Sequence, residues 1–325
     1  MKNSLLALSF LFLLSTGCKN DLEIVGQQEE VIVIYGLLNL NDSVQYIKIN
    51  KGFASTEVAP ITLAQDPDNL FFDSLEVRLI DRTNGISVDC EKVYMEKQSG
   101  TFSSAVNYVY GTDLPLTAGH QYEIRVRNLL NGQEAKSSIQ LISDPTPKSP
   151  NSLNINSYPI EPDKLMTIDF EADPRLATVY EIKMNFVYEE INTQTNTSDL
   201  DTVSWVIARG KFGDNKRIFL RTQGFEFYDF LASAIPQKGS EIQRKGKFLM
   251  VEYWTGDSEL SSYMDVYGTS SIGVVQKKND YTNIEGGYGI FASRNRYVIT
   301  GDKLDVRIMT QLTTNPKLTK FNFVN

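Results

Sequence analysis

The chain has 325 residues, 41% of them hydrophobic, a formal net charge of -8, two cysteines and one histidine. This is enough apolar material for a sizeable core without covalent staples. The acidic balance argues against nucleic acid or anionic lipid as a partner, since both call for basic patches, and so few cysteines and histidines exclude a zinc cluster.

Met1 to Cys18 opens with Lys2, continues through the apolar run Leu5 to Leu14, and ends on Ser15, Thr16, Gly17 and Cys18. A run of that length is too short to cross a bilayer as a helix and reads as a signal peptide. The small residues before Cys18 resemble the lipobox of bacterial lipoproteins, with Ser15 standing where that pattern prefers Leu. The resemblance implies cleavage after residue 17 and acylation of Cys18 with fatty chains such as palmitate. Several acyl chains give stable membrane attachment where one does not. Residues 18–29 are then a polar tether. No later apolar run reaches transmembrane length.

Residues 30–144 read as short strands separated by tight turns. Val31 to Tyr35 and Val44 to Ile49 predict a hairpin, and Leu75 to Ile80 alternates cleanly. Asn84-Gly85 is a hairpin turn signal, after which Ile86 to Val93 should pair back. Phe102 to Val109 is a further strand. Gln121 to Arg127 places Tyr122, Ile124 and Val126 on one face, and Asn131-Gly132 turns the chain into Ala135 to Leu141. This order predicts an immunoglobulin-like β-sandwich. Asp144 to Pro150 carries three prolines and reads as a stiff connector over 145–150.

Residues 151–325 predict a β-rich domain with one or two short helices. Strands are expected at Leu165 to Phe170, Val179 to Tyr188, Val203 to Arg209, Arg217 to Thr222, Phe248 to Trp254 and Ile299 to Thr310. The polar stretch Asn192 to Leu200 reads as an exposed loop. Phe225 to Ile235 is the clear helix, with Phe227, Tyr228, Leu231, Ala234 and Ile235 on one side, and Leu260 to Val266 is the second candidate.

The stretch Asn283-Ile284-Glu285-Gly286-Gly287-Tyr288-Gly289-Ile290-Phe291 resembles the C-terminal hallmark of the domain-of-unknown-function 4249 family of bacterial outer-membrane lipoproteins. The opening strand, the sandwich and the order of elements resemble that family too. The resemblance implies an envelope lipoprotein, in some members associated with TonB-dependent outer-membrane transport, and carries no catalytic residue. Read physically, Gly286, Gly287 and Gly289 suit a turn or bulge feeding a core strand at Phe291. A phosphate cradle would instead want Lys or Ser/Thr and a helix to follow.

Chemistry is sparse. Any Ser-His-Asp or Cys-His arrangement would have to use His120, and no Gly-x-Ser-x-Gly elbow is present. His120 reads as an exposed turn residue and Cys90 as a buried structural thiol. Asp66, Asp68, Asn69 and Asp73 are weak calcium candidates interrupted by Pro67, and a solvated acidic loop is the favoured reading. Trp205, Tyr253 and Trp254 could stack on sugar rings, but strand patterns favour burial. Three Asp-Ser/Thr-apolar triplets, at Asp42, Asp73 and Asp201, resemble bacterial O-glycosylation acceptors.

The expectation is a lipid-anchored, surface-exposed outer-membrane lipoprotein without a cofactor. It would act as a non-enzymatic binding or docking module, in one form beside a β-barrel transporter partner. A structural or adhesive surface protein is the alternative, followed by a glycosidase-like enzyme.

Overall fold

The computed structural model describes residues 30–52, 67–96, 107–268 and 281–324. Among them the chain is mostly β, arranged in three sheets. Strands β1 (Val31–Leu38) and β2 (Gln45–Gly52) form the expected antiparallel hairpin. A four-residue helical turn α1 (Pro67–Leu70) precedes β3 (Leu75–Asp81). Gly85 takes a φ of +74° in the turn to β4 (Ile86–Asp89), and the Asp81 carboxylate accepts the Thr83 and Asn84 amides there.

The predicted return strand Ile86 to Val93 divides at Cys90. The Cys90 amide still donates to Val77, but β5 (Glu91–Tyr94) pairs instead with β6 (Tyr108–Thr112) in the other sheet. One strand thus turns a corner between two layers, a solution open to sandwiches. Strands β7 (Gln121–Asn128) and β8 (Glu134–Gln140) complete the four-stranded layer β4-β3-β7-β8. Tyr122, Ile124 and Val126 are fully buried against Ile32, Ile34 and Ile47, forming the sandwich core.

The prolines of the expected connector lie in and around β9 (Thr146–Ser149), which pairs with β10 (Leu165–Glu171) at a sheet edge. Proline has no amide to donate, and an edge strand tolerates that loss. β13 (Arg217–Gln223) lies on the other side of β10. β11 (Val179–Asn192) and β12 (Thr197–Lys211) form a long hairpin, so most of the expected loop Asn192 to Leu200 is strand and the turn is confined to 193–196. The polar residues there occupy a solvent-facing edge strand, where polarity does not oppose pairing. Strands β14 (Ile242–Gly256) and β15 (Gly287–Thr300) follow.

Among the described residues three helices accompany them, where one or two are expected from sequence: α2 (Gly224–Ala234), α3 (Ser258–Tyr267) and α4 (Val306–Thr314). On α2, Phe227, Tyr228 and Leu231 are buried and Ala234 is exposed. Helix α4 replaces the far end of the strand expected over Ile299 to Thr310. Leu304, Ile308 and Leu312 recur every four residues and are buried, while Val306 is 71% exposed. A spacing of four satisfies a helix as well as a strand, and the Asp305 carboxylate caps the helix by accepting the Arg307 amide at 2.8 Å.

The largest sheet runs β12-β11-β14-β15-β1-β2-β6-β5. β15 pairs antiparallel with β14 and parallel with β1, so the two halves of the chain share one sheet. Ile284 and Phe291 enter the sandwich core, while Ile299 of the same strand enters the core of the second half. Phe291 and Ile299 are an even number of residues apart, so both cores lie on one face of the eight-stranded sheet. No helix among the described residues is long and apolar enough to cross a membrane.

Candidate functional site

The face of the eight-stranded sheet opposite its cores carries the most distinctive side chains. Along β14, Tyr253 turns into the core, where its hydroxyl donates to the Pro150 carbonyl at 2.9 Å. Glu252 and Trp254, one residue to either side, face the other way. Their neighbours across the ladder are Lys183 opposite Glu252 and Glu181 opposite Trp254 on β11, and Arg296 opposite Trp254 on β15.

Glu252 is 8% exposed and fully engaged. It accepts from Asn185 Nδ2 at 2.8 Å, from Trp254 Nε1 at 2.9 Å, and from Arg296 through Nε and Nη2, both at 2.9 Å. The Arg296 hydrogen bonds hold its pKa below the usual glutamate value against the opposing effect of burial. The indole of Trp254 is half-buried and ringed by cations: Arg294 Cζ lies 4.6 Å, Arg296 Cζ 5.4 Å and Lys183 Nζ 5.6 Å from its ring centroids.

Helix α3 forms a wall over this surface. Its N-cap Asp257 accepts the Leu260 amide at 2.9 Å through one oxygen and the Ser293 amide of β15 at 2.7 Å through the other. The same carboxylate therefore caps the helix and ties it to the sheet. Burial pushes its pKa up to about 6. Leu260 packs so closely over Gly256 that a Cβ there would meet its side chain at 2.6 Å. Between α3 and the sheet lies a cleft of about 510 Å³, with Val179, Trp254, Leu260 and Met264 as its apolar lining. Its charged rim holds Glu181 bound to Lys183 at 3.0 Å and to Arg209 at 3.2 Å, and Asp265 bound to Lys211 at 2.6 Å. Arg294 also lines it.

The residues singled out from sequence lie elsewhere. Cys18 and Asp66 fall outside the described residues, as does the Asp68 side chain, while Asn69 is half-buried and Asp73 exposed. Among the described residues, no group of three or more His, Cys, Asp or Glu side chains could hold a metal. In the glycine motif, Asn283 pairs with the Phe291 backbone at both ends of its amide, donating from Nδ2 at 2.6 Å and accepting at Oδ1 at 2.9 Å. Gly286 has a φ of +76°, and a Cβ on Gly287 would lie 2.4 Å from the Ile32 carbonyl oxygen. The motif seats β15 against β1.

His120 is not a free turn residue: its Nδ1 is 2.9 Å from Asp81 Oδ2, at the base of the β3–β4 hairpin. Cys90 is buried, with its thiol pushed up to about 12 by that burial. Trp205 stacks on Phe230 at 6.0 Å beside the core, so of the two tryptophans Trp254 is the one in the cleft. The cation cluster around it escaped sequence reading because Lys183, Arg294 and Arg296 are brought to Trp254 by strand register, and their spacing along the chain forms no motif.

No family model and no curated protein matches the chain. Among solved structures, a comparison returns the C-terminal globular domain of an oligosaccharyltransferase from Pyrococcus abyssi, at 8% identity and a TM-score of 0.22. The match covers 84% of this chain and 48% of that one, so this chain spans about half of that chain's length.

Proposed function

We propose that this protein is a lipid-anchored, surface-exposed outer-membrane lipoprotein of the domain-of-unknown-function 4249 type, acting as a non-enzymatic binding module. The observation that carries the binding role is the cleft beneath α3, where apolar side chains and an indole meet a cationic rim on the open face of a continuous sheet. The anchoring role rests on the run Met1 to Cys18.

The state of the carboxylates supports binding over catalysis. Glu181, Glu252 and Asp265 are each ion-paired, and the pKa of Glu252 is lowered. A glycosidase acid needs a raised pKa together with a proton free to reach the substrate; Asp257, whose pKa burial raises to about 6, has both oxygens occupied by the Leu260 and Ser293 amides. Two measurements test the reading. The wild-type chain should incorporate labelled palmitate and sediment with the outer membrane, and Cys18→Ala should do neither. A Cys18→Ala protein still processed and membrane-bound would overturn the anchor. Mild detergent extraction should bring a β-barrel with the wild type, and isolation without any barrel would exclude the transporter-accessory form of the role.

A further inference from the structure

We propose that the cleft between α3 and the open face is a binding site for a singly charged carboxylate carried on a ring-bearing, partly apolar body, with Arg294 as its anion receptor. This rests on the binding-module reading and names the chemistry of its ligand.

The cations around the cleft differ in what holds them. Lys183 and Arg209 share Glu181, Lys211 holds Asp265, and Arg296 is committed to Glu252 through two nitrogens. Arg294 makes no ion pair or hydrogen bond among the described residues. Its guanidinium lies over Trp254, and the carboxylates acting on it, Asp42 and Glu181, do so from beyond ion-pairing distance. The surrounding atoms shield it in part from water, which lowers its pKa without discharging it. A guanidinium held against an aromatic face, with its outer side open to solvent, keeps its planar fork of donors for an incoming anion.

The rim strengthens the case. Four cations, Lys183, Arg209, Lys211 and Arg294, face two carboxylates, Glu181 and Asp265, inside a chain whose net charge is -8. The cleft is a local positive site in an acidic protein, and such a site concentrates anions. The one guanidinium of the rim without an ion pair among the described residues matches one carboxylate bidentately. The remaining lining, Val179, Leu260, Met264 and Trp254, offers contact area and few polar partners, so the ligand must bring an apolar face. The volume suits a body of about two rings.

The probe pair is phenyl β-D-glucuronide and phenyl β-D-glucoside, identical but for the carboxylate. Calorimetry on the mature lipoprotein in detergent micelles should show binding of the glucuronide at least tenfold tighter than that of the glucoside. Arg294→Ala should abolish this preference, and Arg294→Lys should retain part of it. Because Arg294 is exposed, its replacement should leave the circular dichroism unchanged. Met264→Trp, which adds bulk to the cleft from α3, should weaken both probes. In Trp205→Phe protein the fluorescence of Trp254 alone should respond to the glucuronide. Equal affinity for both probes, unchanged preference in Arg294→Ala, or competition by inorganic phosphate at the glucuronide's own concentration would each overturn the proposal. Release of phenol would retain the site and overturn the non-enzymatic reading. Loss of the membrane anchor alone would overturn that reading's address while the probe measurements still upheld the site.

Discussion

Gly289 lies so close to Ile34 that a Cβ on the glycine would sit 2.0 Å from the Ile34 carbonyl oxygen. These two residues are register partners in the parallel pair β1–β15, more than 250 positions apart in the chain. Gly289 also has a φ of +108°, where side chains are strained. Gly289→Ala should therefore destabilise the protein by about 3 kcal/mol or more, combining backbone strain with a clash against a fixed strand. Gly85→Ala, at a φ of +74° with open space around it, should cost about 1 kcal/mol. Urea denaturation of the two variants checks the ordering, and equal losses would refute the close-approach argument.

Asn283 acts as a short piece of strand. Its side-chain amide makes both hydrogen bonds with the Phe291 backbone. Asn283→Ala removes both and should cost about 1–3 kcal/mol. Asn283→Asp keeps the acceptor but sets an oxygen against the Phe291 carbonyl, so it should be at least as damaging at neutral pH. Hydrogen exchange should report the loss first at the Phe291 amide.

Two carboxylates near the cleft should respond to pH with opposite signs. Glu252 has a folded pKa below 4.5, so its stabilising contribution is fully present above that value and is lost as pH falls through the lowered one. The stability difference between wild type and Glu252→Gln should be about 2 kcal/mol at pH 7 and should shrink toward zero in acid. Asp257 has a folded pKa of about 6 against 3.8 unfolded. The folded state holds the extra proton between those values, so this group's contribution is fully present below about 3.8 and is lost as pH rises through about 6. Amides of α3, compared by hydrogen exchange after correction for intrinsic rates, should be better protected at pH 5 than at pH 7.5. Protection that falls on acidification would contradict the assignment.

Cys90 should be inert in the folded protein. Its thiol is buried and its pKa is pushed up to about 12, so almost no thiolate exists at neutral pH. A thiol-reactive dye should label it only after denaturation, at a rate that follows global unfolding. Rapid labelling without denaturant would show that the corner between β4 and β5 opens locally.

Part of this architecture is legible along the chain. The alternation of β3 and β7, the Asn84-Gly85 turn and the buried stripe of α2 depend on neighbours within a few residues, and local sterics and periodicity report such neighbours. The same reasoning failed where one pattern serves two geometries. Leu304, Val306 and Ile308 alternate as a strand would, yet Leu304, Ile308 and Leu312 also repeat as a helix does, and packing chose the helix. Thr197 to Leu200 reads as a loop because it is polar, but polarity reported only that an edge faces water.

The sequence by itself determined the strand-rich character, most of the tight turns, the glycine run and the Cys18 pattern, because each rests on local backbone preference or composition. Tertiary structure alone decided that β15 joins both halves of the chain, that the strand after Cys90 changes sheets, and that Lys183, Arg294 and Arg296 gather round Trp254. Those outcomes depend on strand order and register between segments up to about 250 residues apart. Hydrogen bonding between distant backbones sets that register, and spacing along the chain does not encode it.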